Sequence, residues 1–161
     1  MEIKNNKETD WEIVINGMKT IHLIKVLNEE ESIDKTIRQI LEETFLDLKD
    51  YRVLNNGVLK MAAYLQFAYL QETEFNKIEF DKFDFSDFDI SFPTTLILNK
   101  DIAKKIRNSI AHGRYKFIKN DELYFENYNE NDYKITFKAT IPIVKFGDFI
   151  NQFALDVICK N

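Results

Sequence analysis

Apolar residues recur every three or four positions along much of the chain, which is the period of helices with one buried face. Two such stripes follow Thr9 and Ser32, residues of the kind that cap helix N-termini. The segment VLKMAAYLQFAYL (58–70) is apolar on nearly every side, as a central helix requires. The stripes comprise Val14, Met18, Ile21, Ile24 and Leu27, then Ile33, Ile37, Ile40, Leu41 and Leu48, and near the C-terminal end Phe146, Phe149, Ile150, Phe153, Ala154, Val157 and Ile158.

A further helix is predicted in NKDIAKKIRNSIAHG (99–113). Its apolar residues Ile102, Ile106 and Ile110 are four apart, Asn99 is a candidate N-cap, and Gly113 stands where helices commonly end in a left-handed residue. The last turn of this helix therefore carries a histidine.

The period changes to two after this helix, which indicates strands. In KITFKATI (134–141), apolar and polar residues alternate as in a half-buried strand. RYKFI (114–118) and ELYFENY (122–128) predict two more strands, joined through KND. The chain is thus expected to be mainly α, with a small antiparallel β appendage between the helix at 99–113 and the C-terminal helix.

Phenylalanines and aspartates interleave in EFDKFDFSDFDISFP (79–93), within a stretch without clear periodicity at 76–93. One interpretation is a mobile, acidic and Phe-rich loop that docks on a partner or a second subunit, since long irregular connections are often functional. The other is a loop whose phenylalanines fold back onto the core, and the residue pattern favours this one.

Composition limits the class of protein but does not indicate a function. With 161 residues, 45% of them hydrophobic, the chain is long enough for a core and is expected to form a single domain over 1–161. Its one cysteine excludes an intrachain disulfide. No apolar run approaches the length of a membrane span and no signal sequence is recognisable, so a soluble, cytoplasmic protein is expected, without membrane association.

Charge is unevenly distributed. The net charge is −5, yet seven basic residues face a single acid between 100 and 119. Such a basic segment on an acidic protein would confine a phosphate-bearing partner to one place. A solvated basic helix face explains the same charges, and charge alone favours that simpler interpretation.

Arg107, Asn108 and His112 together suggest phosphate chemistry. An unperturbed histidine titrates near neutrality, and a helix C-terminus favours its protonated form, which suits proton transfer. A guanidinium can bind phosphate in a bidentate manner. By residue type alone, however, an arginine and a histidine near a helix end are more often capping and surface residues than a catalytic pair.

The run IRNSIAHGRYKF (106–117) resembles the HEPN superfamily (higher eukaryotes and prokaryotes nucleotide-binding), in which an arginine, a polar residue and then a histidine lie at a helix end. It is similar to a branch of that superfamily associated with plasmids and phage defence. The helical order and the strands extend the resemblance over the second half of the chain.

This resemblance implies a helical domain that forms a homodimer, with a metal-independent endoribonuclease site where the two motifs meet. The RNA 2′-hydroxyl would attack the adjacent phosphate, with His112 as acid and base, Arg107 as phosphate anchor and Asn108 as polar helper. Neither a metal nor a cofactor is expected, and no carboxylate and histidine cluster with metal-ligand spacing is apparent. A dimer would also supply a second motif histidine, since His22 lies in an apolar helix segment and is interpreted as structural.

Further residues near the motif are candidates for RNA binding: Lys104, Lys105, Arg114, Tyr115 and Lys116. The setting implied is a toxin–antitoxin or antiviral defence system, with an antitoxin or another regulatory protein as restraint. A non-catalytic HEPN domain that binds RNA or protein is the alternative, and the acidic remainder of the chain keeps it open.

Overall fold

The computed structural model describes residues 7–44, 56–92, 98–118 and 122–153. Helices and short turns of helix dominate these ranges, and a single antiparallel sheet accompanies them. The α-helices are α1 (Lys7–Leu27), α2 (Ile33–Thr44), α3 (Asn56–Tyr69), α4 (Glu72–Phe75), α5 (Asn99–Ala111) and α6 (Ile143–Phe153), and the strands are β1 (Asp89–Phe92), β2 (Tyr115–Ile118), β3 (Glu122–Tyr128) and β4 (Ile135–Pro142).

The predicted helix starts are partly confirmed. Ser32 precedes α2, and its Oγ accepts a hydrogen bond from the Lys35 backbone N–H at 3.2 Å, so it is an N-cap. Thr9 is not, because α1 already begins at Lys7. Asn99 is the first residue of α5 rather than its cap; the capping contact instead runs from the Leu98 N–H to Asp101 Oδ2 at 3.3 Å.

The apolar stripes face one core. Val14, Met18 and Ile21 of α1 are buried, whereas Leu27, at the end of the predicted stripe, is exposed. The central helix α3 has six buried residues around its second half and end, which are Ala63, Tyr64, Leu65, Phe67, Ala68 and Leu70. Leu48 and the stripe residues Ala154, Val157 and Ile158 lie outside the described residues.

The sheet has the order β1-β4-β3-β2 and is antiparallel throughout. Strands β2, β3 and β4 match the three predicted strands. Strand β1 was not predicted: it comes from before α5 and pairs with β4 at the sheet edge. The sheet is also not a separate appendage, because Leu123, Phe125 and Phe137 on its inner face are fully buried in the main core.

The segment at 76–93, predicted as a Phe-rich loop, packs its phenylalanines against the C-terminal helix α6. It contains a short 3-10 turn at Phe80–Lys82 and then β1, so it is not irregular throughout. Phe83, Phe85 and Phe88 place their ring centroids 5.4, 5.6 and 6.1 Å from that of Phe149 on α6. The phenylalanines therefore fold back onto the core, as the favoured interpretation predicted. Each such aromatic pair contributes about 0.5–1.5 kcal/mol beyond the area it buries.

No helix in the described part of the chain is long and apolar enough to cross a membrane.

Candidate functional site

Helix α5 carries the motif, and its inner face fixes the direction of the motif side chains. Ile102, Ile106 and Ile110 are buried against the core. With 3.6 residues per turn, this leaves positions 107, 108 and 112 on the sides and end of the helix, where they can reach solvent.

The end of α5 is a Schellman motif. Gly113 has φ +71°, its N–H donates to the Ile110 carbonyl at 3.0 Å, and the Arg114 N–H donates to the Ser109 carbonyl at 2.7 Å. A Cβ on Gly113 would lie 3.1 Å from Lys25 Nζ and 3.3 Å from Ile33 Cδ1, so the turn also packs closely against α1 and α2. The position of His112 is therefore fixed by both backbone and packing.

His112 lies just after the last residue of α5, with its side chain 43% exposed. Its Nδ1 is 4.0 Å from Glu130 Oε1 in the β3–β4 turn. Burial, and next the charge of Arg114, lower the pKa of His112 below its usual value, although Glu130 opposes this. Burial and Arg114 thus favour the neutral imidazole, whereas Glu130 and the helix end favour the imidazolium.

Arg107 is held inside the protein by a carboxylate from α2. Its Nη2 donates to Asp34 Oδ1 at 2.8 Å, and its side chain is only 13% exposed. Burial lowers the pKa of Arg107, with Asp34 opposing, yet a guanidinium remains charged at any physiological pH. Its Nε is buried without a hydrogen-bond partner, and Nη1 has none among the described residues.

Asn108 lies between two cavities on either side of α5. The first, which we call the arginine pocket, has a volume of about 230 Å³, and the second, the turn pocket, about 420 Å³. The arginine pocket is lined by Asp34, Leu70, Gln71, Glu72, Phe75, Lys104, Arg107 and Asn108. The turn pocket is lined by Lys105, Asn108, His112, Arg114, Asn127, Tyr128, Asn129, Glu130 and Thr136. Arg107 and His112 of one chain thus line different cavities, and the side chain of Asn108 lines both.

A family model described as HEPN pEK499 p136 matches residues 1–161. The chain belongs to this HEPN family. The resemblance seen in residues 106–117 is thereby confirmed and extends to the first half of the chain. No curated protein and no solved structure matches.

The basic segment of this HEPN chain is partly neutralised by acids from other elements. Lys104 Nζ lies 2.9 Å from Glu72 Oε1, and Arg114 Nη2 lies 3.3 Å from Glu130 Oε1. Together with the Arg107–Asp34 pair, these contacts cancel three of the seven positive charges. The local excess of positive charge in the sequence is therefore much smaller in the folded protein.

The other residues predicted to bind RNA fall into two groups. Lys105 lines the turn pocket, and Lys116 is exposed on β2, with Nζ 5.1 Å from the Tyr124 ring centroid. Tyr115 is engaged inside the domain: its hydroxyl donates to the Met18 carbonyl at 3.0 Å, and burial raises its pKa well above the usual value. A ring held in this way is not free to stack on a base.

His22 packs beside Tyr115, with the two rings 5.8 Å apart and edge-on. Its Nδ1 is buried without a hydrogen-bond partner, and burial lowers its pKa. This placement agrees with its interpretation as a structural residue.

Sequence reasoning missed Asp34 and Glu130, which contact the motif residues. Asp34 is in the first turn of α2, where an acid is common because it complements the helix dipole, so its presence carried no functional signal. Glu130 lies in a polar turn. The described ranges contain no group of three or more His, Cys, Asp or Glu residues that could hold a metal ion.

Proposed function

We propose that this HEPN chain is an endoribonuclease that cleaves RNA by attack of a 2′-hydroxyl on the adjacent phosphate. The products would be a 2′,3′-cyclic phosphate, or its hydrolysis product, and a 5′-hydroxyl end. The observation that carries the proposal is the end of α5 in a HEPN family member, where Arg107, Asn108 and His112 surround two adjoining polar cavities. The proposed mechanism needs no metal ion and no cofactor.

His112 is the proposed general base and acid. Its lowered pKa keeps the imidazole neutral at pH 7, so it can accept the proton of the 2′-hydroxyl without first losing one. Its 43% exposure leaves the ring accessible to a substrate. Asn108, whose amide has no hydrogen-bond partner among the described residues, can orient a phosphate oxygen from either cavity.

Arg107 is the proposed phosphate anchor. Asp34 fixes one end of its guanidinium, and the donors Nη1 and Nε remain without partners in the described structure. Donors held in place before the substrate arrives stabilise the charge that develops on a pentacoordinate phosphate more effectively than mobile ones.

A homodimer would complete the site. In-line cleavage benefits from a base at the nucleophile and an acid at the leaving oxygen, and each chain offers one motif histidine. The other histidine, His22, lies on α1 and packs against Tyr115 of β2, and we assign it no role in the chemistry. We therefore propose that two copies of α5 meet across a two-fold axis, in a HEPN helical layout to which the sheet is added.

The charge pattern favours a second candidate, a HEPN domain that binds RNA or a protein without cleaving. Because Asp34, Glu72 and Glu130 neutralise nearby cations, the surface around the motif offers phosphate less attraction than the sequence suggests.

For the nuclease itself we propose the role of a cytoplasmic toxin or antiviral enzyme that an antitoxin or another regulatory protein restrains.

The test is cleavage of end-labelled total RNA by the purified protein in EDTA, with the product ends mapped. We expect the parent to cleave and His112→Ala and Arg107→Ala to lose at least a hundredfold in rate, as removal of a general base or a phosphate donor does. Asn108→Ala should lose less, because it does not transfer the proton.

Matched control variants are Arg38→Ala and His22→Gln. Arg38 is an exposed arginine that also lies near Asp34, at 3.9 Å, so its loss tests for a general effect of removing positive charge there. Both controls should cleave within a few-fold of the parent. RNA binding without cleavage by a dimeric parent would favour the second candidate, and equal cleavage by the parent and the two motif variants would mean that the activity comes from a contaminant.

A further inference from the structure

The β3–β4 turn forms the wall of the turn pocket that faces α5. The Tyr133 N–H donates to the Asn129 carbonyl at 2.7 Å, and the Asn129 N–H donates to the Lys134 carbonyl at 2.8 Å, which closes the turn. Asn129 Oδ1 accepts from the Asn131 N–H at 2.9 Å. The Asn129 side chain is thereby oriented, while its Nδ2 has no hydrogen-bond partner among the described residues.

A β-bulge lies beside this turn. Asn127 pairs with Phe137 but Tyr128 pairs with Ile135, which leaves Thr136 without a cross-strand partner. Thr136 lines the turn pocket, and its hydroxyl makes no hydrogen bond within the described ranges. Bulges often occur next to functional sites because they redirect one side chain.

This wall is polar but nearly uncharged. The Arg114 guanidinium donates to Asn127 Oδ1 and the Tyr128 carbonyl, pairs with Glu130, and lies 3.6 Å from the Tyr128 ring centroid. The Arg114 guanidinium is therefore already paired within the domain. On this wall the free groups are an amide and a hydroxyl, and the cation Lys105 lies on the opposite, α5 side of the pocket. Such a wall suits the edge of a nucleobase better than a phosphate, which proteins bind mainly through cations.

We propose that the turn pocket is a base-recognition subsite. It would bind one unpaired nucleobase of RNA next to the phosphate at His112, with Asn129 and Thr136 hydrogen-bonding to the base edge and selecting the base. A volume of about 420 Å³ is within the range of small-ligand pockets. This inference rests on the proposed function, because that function identifies the ligand as RNA.

The experiment measures cleavage of a random-sequence single-stranded oligoribonucleotide pool, with cut sites sequenced and relative kcat/KM obtained for each base on either side of the cut. Asn129→Asp keeps the Oδ1 acceptor that shapes the turn but removes the Nδ2 donor, and Thr136→Val keeps the shape but removes the hydroxyl. The matched control, Asn131→Asp, adds the same charge to the same turn outside the pocket.

We expect the parent to prefer one base at a position adjacent to the cut. Asn129→Asp and Thr136→Val should weaken that preference about tenfold, the effect of losing a hydrogen bond and leaving its partner unsatisfied. Asn131→Asp should retain it. A parent with no base preference beside the cut, or a preference that both pocket variants keep, overturns the subsite while the nuclease remains.

A binding measurement separates the subsite from the activity. The four ribonucleoside 3′-monophosphates are titrated into the protein while backbone amide NMR signals are followed. Saturable shifts of the Asn129 and Thr136 amides, weakened about tenfold by the pocket variants, would support the subsite even if the parent cleaves nothing. The absence of saturable shifts there with every nucleotide overturns it.

Discussion

Replacing Asp34 by asparagine tests whether the ion pair holds Arg107 in place. The substitution keeps the shape and an oxygen that can accept from Nη2, while it removes the negative charge and replaces the second acceptor oxygen by an NH2 group. Removing one partner from a fully buried ion pair costs about 3–5 kcal/mol. Here Asp34 keeps 22% exposure and Arg107 keeps 13%, so water reaches the pair, and the retained hydrogen bond offsets part of the loss.

We therefore expect Asp34→Asn to lower the free energy of unfolding by about 1–2 kcal/mol. For a chain of this size, that corresponds to a decrease in Tm of about 2–8 °C. Urea unfolding followed by circular dichroism gives the free energy, and a double-mutant cycle with Arg107→Met isolates the interaction between the two side chains.

The exposed pair of Glu72 and Lys104 is the internal control. These side chains are 73% and 43% exposed, so the cycle Glu72→Gln with Lys104→Met should give a coupling within the error of the measurement. If Asp34→Asn unfolds like the parent, and its coupling to Arg107 is as small as that of the control pair, the ion pair does not hold the arginine in solution.

Two further predictions concern the end of α5. In an NMR titration, the pH midpoint of the His112 ring signals should lie below 6.5, because burial and Arg114 lower the pKa of His112. Arg114→Gln should raise this midpoint, and Glu130→Gln should lower it further. Shifts in the opposite directions would contradict the described geometry. Gly113→Ala should destabilise the protein by about 1–2 kcal/mol in urea unfolding, because alanine is strained at φ +71° and its Cβ would press on Ile33 Cδ1 at 3.3 Å; an unchanged stability would mean that the Schellman turn is not formed.

Local patterns in the sequence predicted the elements well. Ser32 caps α2 and Gly113 ends α5, because both preferences come from the backbone within a few residues. The strand predicted from alternation at 134–141 corresponds to β4 at 135–142, and burial alternates along both β3 and β4. The motif residues were singled out by the resemblance of residues 106–117 to the HEPN superfamily, because their types and spacing alone favoured capping and surface roles.

Contacts between distant residues could not be predicted in this way. Asp34 and Arg107 are 73 positions apart, and no periodicity links them. Strand β1 is only four residues long and lies in a segment rich in aromatic and acidic residues, so its alternation of polar and apolar residues is too short to identify it as a strand. Its pairing with β4 joins segments about 50 positions apart. The same limit explains why the acids that pair with the cations of residues 100–119 were not predicted.

The pairing of Arg107 with Asp34 has a consequence for sequence variation at this position. A guanidinium has donors on several edges, so it can keep its contact with Asp34 through Nη2 and still offer Nη1 to an anion. Lysine carries all its donors on one nitrogen, so the carboxylate and the anion would have to meet at the same ammonium, which brings their negative charges close together. In relatives that retain an acid at the position of Asp34, a lysine in place of Arg107 would thus preserve the charge and the fold but not the anion site, so that this exchange would mark chains in which binding at the motif has been lost.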